Sequence, residues 1–214
     1  IKMGTIKQGI LGGFSGKVGT VIGGSWKGIS YMRSQVQNIK NPRTEAQMEQ
    51  RSKFALTLSF LKPITSYVRT GFKTYATKQT AFNAAMSYIC KNAVTGDYPD
   101  YTLDFSLALV SRGNQTPAAN AAATAASGKI NFSWSDNSGA GDAQITDLAM
   151  PLVFNKDKGE AVFNTAADTR ASEIAEINLP ADWTGDKVEV YLGFVSADGK
   201  SVANSVYLGE KTVV

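Results

Sequence analysis

Two residue types that build many functional sites are nearly absent from this sequence of 214 residues. It contains no histidine and one cysteine, Cys90. The missing histidine removes the side chain that most often acts as a general base or binds a metal. A single cysteine cannot form an intramolecular disulfide, which excludes a small secreted domain stabilised by disulfides. The sequence also lacks a run of about 18 apolar residues and a visible signal-peptide core, so we expect no membrane span.

Motifs of catalysis and of nucleotide binding are missing as well. The segment 12–17 (GGFSGK) resembles a phosphate-binding loop, but Leu11 stands where its first glycine belongs and Val18 where it needs serine or threonine. Paired aspartates in turns could bind calcium weakly, although solvated turn residues are the favoured interpretation. These pairs are Asp97 and Asp100, Asp142 and Asp147, and Asp182 and Asp186. We therefore predict a protein that is not an enzyme and has no catalytic residues, cofactor or metal site.

What the sequence does have is charge of opposite sign in its two halves. Residues 1–96 contain 14 Lys and Arg and 2 acidic residues, a net charge of +12. Residues 97–214 contain 8 Lys and Arg and 16 acidic residues, a net charge of −8. Three interpretations stay open: an anionic partner for the basic half, head-to-tail association of copies of the chain, or two domains that merely differ in surface charge.

The candidate surface for an anionic partner lies in the basic half, where two aromatic residues, Trp26 and Tyr31, stand among cationic ones. Basic residues interleaved with aromatics can bind nucleic acid. No recognised nucleic-acid-binding motif accompanies them, so a solvated basic face is favoured over a nucleic-acid site. The cationic residues of this candidate surface are Lys17, Lys27, Arg33, Lys40, Arg43, Arg51 and Lys53.

The basic half predicts a glycine-rich β-hairpin followed by helices. Glycines recur through residues 4–36 between short apolar pieces, a pattern typical of tight turns and of strands that need a partner surface. Thr44 and Gln47 form a capping box that starts a helix, and Pro63 ends it. Further helical pieces follow to about residue 89. The expected buried stripe of the first helix is Met48, Phe54, Ala55, Leu58 and Leu61.

The acidic half predicts a seven-strand β-sandwich of the immunoglobulin or fibronectin type III kind. Apolar residues alternate there with period two, and Trp134 is expected in the core. The low-complexity segment 114–127 (NQTPAANAAATAAS) predicts an exposed loop or a piece that packs on a neighbour. The fold class is therefore α+β, with domains at 1–96 and 97–214. The predicted strands are 103–109, 130–134, 148–154, 161–164, 175–179, 188–194 and 202–208.

Seven segments of the chain carry a resemblance to other proteins: 3–10 (MGTIKQGI), 13–20 (GFSGKVGT), 26–28 (WKG), 41–47 (NPRTEAQ), 179–183 (LPADW), 188–191 (VEVY) and 194–199 (FVSADG). Together they resemble an uncharacterised family of gut-anaerobe bacterial proteins. The resemblance covers nearly the whole chain and implies no activity. The segment 41–47 is also similar to phage and prophage proteins in which a short β-hairpin precedes the same helix start, which implies a mobile-element or virion setting.

Three functions remain, and the first is preferred. It is a non-catalytic structural or assembly protein, virion- or mobile-element-associated, acting through protein contacts as a homo-oligomer or larger assembly. The second is a surface or extracellular module that binds a glycan or protein. The third is a nucleic-acid-binding protein that uses residues 17–53. We expect the chain to be cytoplasmic as made, and virion-associated or extracellular after assembly.

Overall fold

The computed structural model describes residues 13–26, 28–38, 41 and 43–214, together with the backbone of Thr5–Ile6. It divides into two compact units, Ile1–Thr44 and Glu45–Val214. The sequence predicts the division at residue 96 instead. The boundary differs because the helices share a hydrophobic core with the sandwich and so belong to the same unit. None of the described helices is long and apolar enough to span a membrane.

The first unit contains an antiparallel sheet with the strand order β1-β2-β3-β4. The turn after β2 has two residues and places Gly19 at a φ of 59°, which favours glycine. Gly28 has a φ of 81° in the turn before β4. The predicted glycine-rich hairpin is thus part of a larger meander. The strands are β1 (Thr5–Ile6), β2 (Phe14–Val18), β3 (Val21–Trp26) and β4 (Ile29–Ser34).

Three α-helices open the second unit: α1 (Glu45–Leu61), α2 (Thr65–Gly71) and α3 (Ala81–Asn92). Helix α1 begins directly after Thr44 and ends before Pro63, as the capping box and the proline predict. At the start of α3, the Thr80 hydroxyl accepts a hydrogen bond from the Asn83 backbone N–H at 3.1 Å. Such a cap satisfies a backbone donor that the helix itself cannot.

The predicted apolar stripe of α1 coincides with its buried face at Leu61 alone. The helix buries Thr57, Phe60 and Leu61, whereas Met48, Phe54 and Leu58 of the predicted stripe are exposed. Apolar residues surround most of this helix, so periodicity alone does not select one side. Thr57 can lie in the core because its hydroxyl donates to the Lys53 carbonyl oxygen at 3.0 Å.

Seven strands of the second unit form the two sheets of the sandwich. One sheet has the order β11-β8-β7 and the other the order β10-β9-β12-β13, with antiparallel pairing throughout. A short hairpin of β5 (Val94–Thr95) and β6 (Thr102–Leu103) precedes them. The sandwich strands are β7 (Ala119–Ala126), β8 (Lys129–Ser135), β9 (Leu148–Asn155), β10 (Glu160–Phe163), β11 (Ile174–Asn178), β12 (Lys187–Val195) and β13 (Val206–Thr212).

The first sandwich strand lies in a segment that the sequence analysis assigned wrongly. The predicted strand 103–109 is largely irregular beyond Leu103. Leu103, Phe105 and Leu109 pack against the helical core, whereas Leu107 is exposed. The predicted loop 114–127 instead contains edge strand β7. Alanine has low β-propensity, so the alanine-rich segment carries no strand signal. The last strand is also displaced from the predicted 202–208 to Val206–Thr212.

Strands β9 and β12 are buried on both faces, which gives the second unit three layers. Met150, Leu152 and Tyr191 point into the core shared with the helices. Val190 and Phe194 point into the core between the two sheets. There the ring of Phe194 packs edge-to-face on Trp134 at 5.4 Å between ring centroids, which confirms the predicted core position of this tryptophan.

A buried ion pair joins the loops at one end of the sandwich. The Nε of Arg170 lies 3.1 Å from the Oδ2 of Asp147, and both side chains are almost completely buried. The guanidinium also donates to the Asn137 side chain at 2.6 Å and to the Thr116 carbonyl oxygen at 3.0 Å. Its remaining face stacks on the Phe194 ring at 4.0 Å. Arg170 therefore connects three segments: its own loop between β10 and β11, the loop between β8 and β9, and the segment before β7.

Candidate functional site

Four of the six turn aspartates considered for calcium pair with other groups of the fold. The carboxylate of Asp142 accepts from the Thr116 backbone N–H at 2.8 Å, and this bond lowers the pKa of Asp142. Hydrogen bonds from Asn155 and Lys158 lower the pKa of Asp186. Within residues 13–26, 28–38 and 43–214, no three carboxylate or thiol side chains converge as metal ligands would. The absence of a metal site stays a prediction.

Two cations of the candidate surface, Arg51 and Lys53, lie on α1 in the second unit. Lys53 pairs with Glu49 at 2.9 Å and lies over the Tyr101 ring at 4.7 Å from its centroid. The Tyr101 hydroxyl donates to the same Glu49 carboxylate at 2.7 Å. The hydrogen bond from Lys53 lowers the pKa of Glu49 and raises the pKa of Lys53. Lys53 therefore contributes to a local network that connects α1 to the segment before β6.

The register of the first unit places Lys17 and Arg33 on one face with two aromatic residues. Directly opposite residues in an antiparallel sheet share a face, as do residues two apart in one strand. Lys17 lies opposite Ile22, which lies opposite Arg33. Along the same face follow the pairs Gly24–Tyr31 and Trp26–Ile29. We call this the cationic face: Lys17, Ile22, Trp26, Ile29, Tyr31 and Arg33.

A glycine makes the cationic face flat at its centre. A Cβ built on Gly24 would lie 2.9 Å from the Tyr31 hydroxyl oxygen and 3.0 Å from the ring carbon that carries it. The Tyr31 ring therefore lies across β3 at Gly24 and not upright beside a side chain. It is 47% exposed and Trp26 is 53% exposed, so both rings present broad surfaces to solvent.

The opposite side of the same sheet carries no charge among its described residues. Val18 lies opposite Val21, and Met32 lies opposite Gly23. Phe14 packs over Gly23, where an added Cβ would lie 2.2 Å from the Phe14 carbonyl oxygen and 2.8 Å from its ring. We call this the apolar face: Phe14, Gly16, Val18, Val21, Gly23, Ser25, Ser30, Met32 and Ser34.

Both faces of this sheet are open to solvent. Of residues 13–26 and 28–38, only Gly23 is buried. Met32 is 72% exposed, and all six residues of β4 are exposed. A sheet normally buries one face against another layer, and a few strands without such a layer are marginally stable in water. Among the described residues, no second layer covers either face of this sheet.

The structure divides the predicted cationic surface between the two units. It brings Lys17 and Arg33 together and leaves Arg51 and Lys53 on α1. Arg43 is exposed near the end of the first unit. Lys27 and Lys40 lie outside the described residues. The sequence analysis missed the apolar face, because Val18, Val21 and Met32 join it only through the register of three strands.

The second unit carries shallow grooves on two of its surfaces. One of about 410 Å³ borders the exposed side of α1 and is lined by Gln47, Arg51, Phe54 and Leu58. Another of about 330 Å³ lies on β8 and β11, where Asn131, Ser133 and Glu176 line it. Within the sandwich, helices cover the outer face of the sheet β10-β9-β12-β13, so among the described residues the outer face of the sheet β11-β8-β7 is the one that faces solvent.

Comparisons with known proteins bear on the sandwich and on the whole chain. No curated protein matches the sequence. The solution structure of the fibronectin type III domain of human collagen alpha-1(XX) chain is similar to 49% of this chain over 90% of its own length, with 15% identity and a TM-score of 0.33. The expected similarity to gut-anaerobe and phage proteins stays a prediction. A family model matches residues 13–209, and the chain therefore belongs to this family of unknown function (DUF6266).

Proposed function

We propose that the protein is a non-catalytic assembly protein that associates with copies of itself through the apolar face of its N-terminal sheet. One observation carries the proposal: this sheet exposes Val18, Val21 and Met32 and has no hydrophobic core among its described residues. Packing the face against another layer would remove these side chains from water. That burial is the usual source of stability for a small sheet.

A second copy is the occupant that the charges favour. The apolar face has no charged side chain, so two such faces can pack together without repulsion between like charges. Two cationic faces could not, because each carries Lys17 and Arg33. Residues 1–44 contain seven Lys and Arg and no acidic residue, which also disfavours other alignments of two N-terminal units. An isologous pair of apolar faces follows from these constraints.

The size of the face predicts weak association. Three strands of about six residues span roughly 300 Å². A stable interface buries about 800 Å² on each partner. A single pair of sheets should therefore dissociate in the micromolar range or above. Lasting association would require many copies held close together, as in an assembly. There the high effective concentration of neighbouring sheets compensates for the weak affinity of each pair.

The absence of catalysis is part of the same proposal. Its support is that the candidate acidic residues serve the fold: Asp147 pairs with Arg170, and Asp182 and Asp186 pair with Lys158. The alternative of a surface-binding module has one supporting observation, the groove on β8 and β11. An NMR titration of the protein with a glycan library tests that alternative. Amide chemical-shift changes at Asn131 and Glu176 would favour it.

Sedimentation velocity over a range from micromolar to near-millimolar protein tests the proposal. We expect reversible self-association that disappears in a Val21→Ser, Met32→Ser variant. The matched control is Ile29→Ser, which replaces an exposed apolar residue on the cationic face. A strictly monomeric wild-type protein at every concentration would refute the proposal. Equal loss of association in the Ile29→Ser variant would show that the apolar face is not the contact.

A further inference from the structure

We infer that the cationic face of the N-terminal sheet binds single-stranded nucleic acid. The residues of this binding site are Lys17, Arg33, Trp26 and Tyr31. The inference goes beyond the proposed function, because it concerns the other side of the sheet and a different class of ligand. The apolar face can pair with a second copy while the cationic face stays open to solvent.

The arrangement combines the two groups that single strands require. Proteins that bind single strands without reading their sequence use cations for the phosphates and aromatic rings on which bases stack. Lys17 and Arg33 lie in one row across three strands, at a Cα separation of about 10 Å. Tyr31 precedes Arg33 by two residues on the same strand, about 7 Å away. The row of cations therefore lies beside the aromatic rings, within reach of neighbouring nucleotides.

The geometry of the rings favours bases over protein carboxylates. An acidic protein surface would need only the cations and would gain little from two half-exposed aromatic rings. The Tyr31 ring lies across Gly24, so the ring face turned away from Gly24 can serve as a stacking platform. Trp26 lies at the end of the same face, again with its ring in solvent. Stacking on such rings is available to every base, since every base has a flat π surface.

The charge of the whole unit adds to the attraction. Residues 1–44 contain no carboxylate side chain that could neutralise the seven cations from within the unit. A flat sheet face also fits a single strand better than a duplex, whose major groove accepts a helix or a narrow two-stranded ribbon. The sequence alone did not favour nucleic acid, because the shared face of Lys17, Tyr31 and Arg33 is set by strand register.

Fluorescence anisotropy of the whole chain with a labelled oligothymidylate tests the inference. We expect binding that weakens as salt rises, and a Lys17→Gln, Arg33→Gln variant whose log–log salt slope is smaller by about 1.4, because each lost phosphate contact removes about 0.7. The control is Lys62→Gln, Lys78→Gln, which removes the same charge from exposed positions of the second unit and should leave the slope nearly unchanged.

The aromatic contribution has its own readout. Of the three tryptophans, Trp134 and Trp183 are buried, so Trp26 is the one that a bound base can quench. We expect quenching on binding, and affinity about 5-fold to 100-fold weaker for each ring lost in Trp26→Ala and Tyr31→Ala. The variant Trp26→Phe, Tyr31→Phe keeps both rings and should retain most binding, which separates lost stacking from a misfolded sheet.

Three results would overturn the inference. The first is no binding of oligothymidylate at low salt. The second is equal weakening by the Lys62→Gln, Lys78→Gln control. The third is equal or tighter binding of duplex DNA or polyglutamate with the same dependence on Trp26 and Tyr31. The Val21→Ser, Met32→Ser variant keeps this result separate from the proposed function, since it should lose self-association and still bind the oligonucleotide.

Discussion

Strands β4 and β12 show how differently the two units use apolar residues. β4 is the edge strand of one antiparallel sheet and β12 is an inner strand of another. Both strands contain several large apolar side chains. β12 is buried at every position after Lys187, whereas β4 is exposed at all six. The difference lies in the layers around each sheet and not in the strands. β12 has helices on one face and a second sheet on the other, and β4 has neither among the described residues.

The largest expected effect comes from two phenylalanines of α1 that differ only in their surroundings. Phe60 is 2% exposed and packs edge-to-face on Phe154 at 4.9 Å between ring centroids, whereas Phe54 is 48% exposed. Phe60→Ala should lower the free energy of unfolding by about 3–5 kcal/mol, because it leaves a cavity in the helical core. Phe54→Ala should change it by less than about 1 kcal/mol.

Urea unfolding followed by circular dichroism measures both changes. A similar loss of unfolding free energy in Phe60→Ala and Phe54→Ala would contradict the assignment of Phe60 as buried and Phe54 as exposed. In that case something would cover Phe54 in solution, and the exposed side of α1 would be part of the folded core.

A second pair of substitutions compares a glycine from each unit. An alanine Cβ at Gly193 would lie 2.7 Å from the Ser111 hydroxyl oxygen, so Gly193→Ala should destabilise the second unit by about 1–3 kcal/mol. At Gly23 the Cβ would lie 2.2 Å from the Phe14 carbonyl oxygen. Gly23→Ala should therefore disrupt the N-terminal sheet while the second unit keeps its stability.

Hydrogen exchange resolves the two outcomes by region. Faster exchange in residues 14–34 alone is expected for Gly23→Ala, and faster exchange across β9 and β12 for Gly193→Ala. If Gly23→Ala also released the amides of β12, the two units would not be separate folding units.

The smallest expected effect is a change in how the stability of the fold depends on pH under acidic conditions. Hydrogen bonds from the Ser196 hydroxyl and from the Lys200 backbone N–H lower the pKa of Asp198 to about 2. A carboxyl whose pKa is lowered by folding adds stability above its unfolded pKa of about 4, and this contribution is lost as the pH falls towards 2. In Asp198→Asn, stability should depend less steeply on pH between about 4 and 2.

The control is Asp157→Asn, an exposed turn aspartate outside this network. Chemical denaturation at several pH values gives the slope for each variant. An unchanged slope in Asp198→Asn would mean that the β12–β13 turn frays before the carboxyl is protonated.

Sequence patterns predicted the elements whose signal is local. The start of α1 follows from the Thr44 and Gln47 spacing, and most sandwich strands follow from alternating apolar residues. Patterns failed where the outcome depends on distant packing. The alanines of β7 give no strand signal, and the apolar residues around α1 do not show which side meets a sheet that is formed about 90 residues later in the chain. The two faces of the N-terminal sheet likewise exist only once its register is set.

The order of synthesis gives the shared core of helices and sheet a kinetic consequence. Helix α1 ends at Leu61, but the sheet that buries Phe60 and Leu61 is complete only when β13 ends at Thr212. At roughly 5–20 residues per second, the ribosome needs on the order of 10–30 s to make the intervening chain. During that time the apolar side of the helices has no native partner. Protection of the nascent helices by a chaperone would then matter more to yield than the stability of the finished fold.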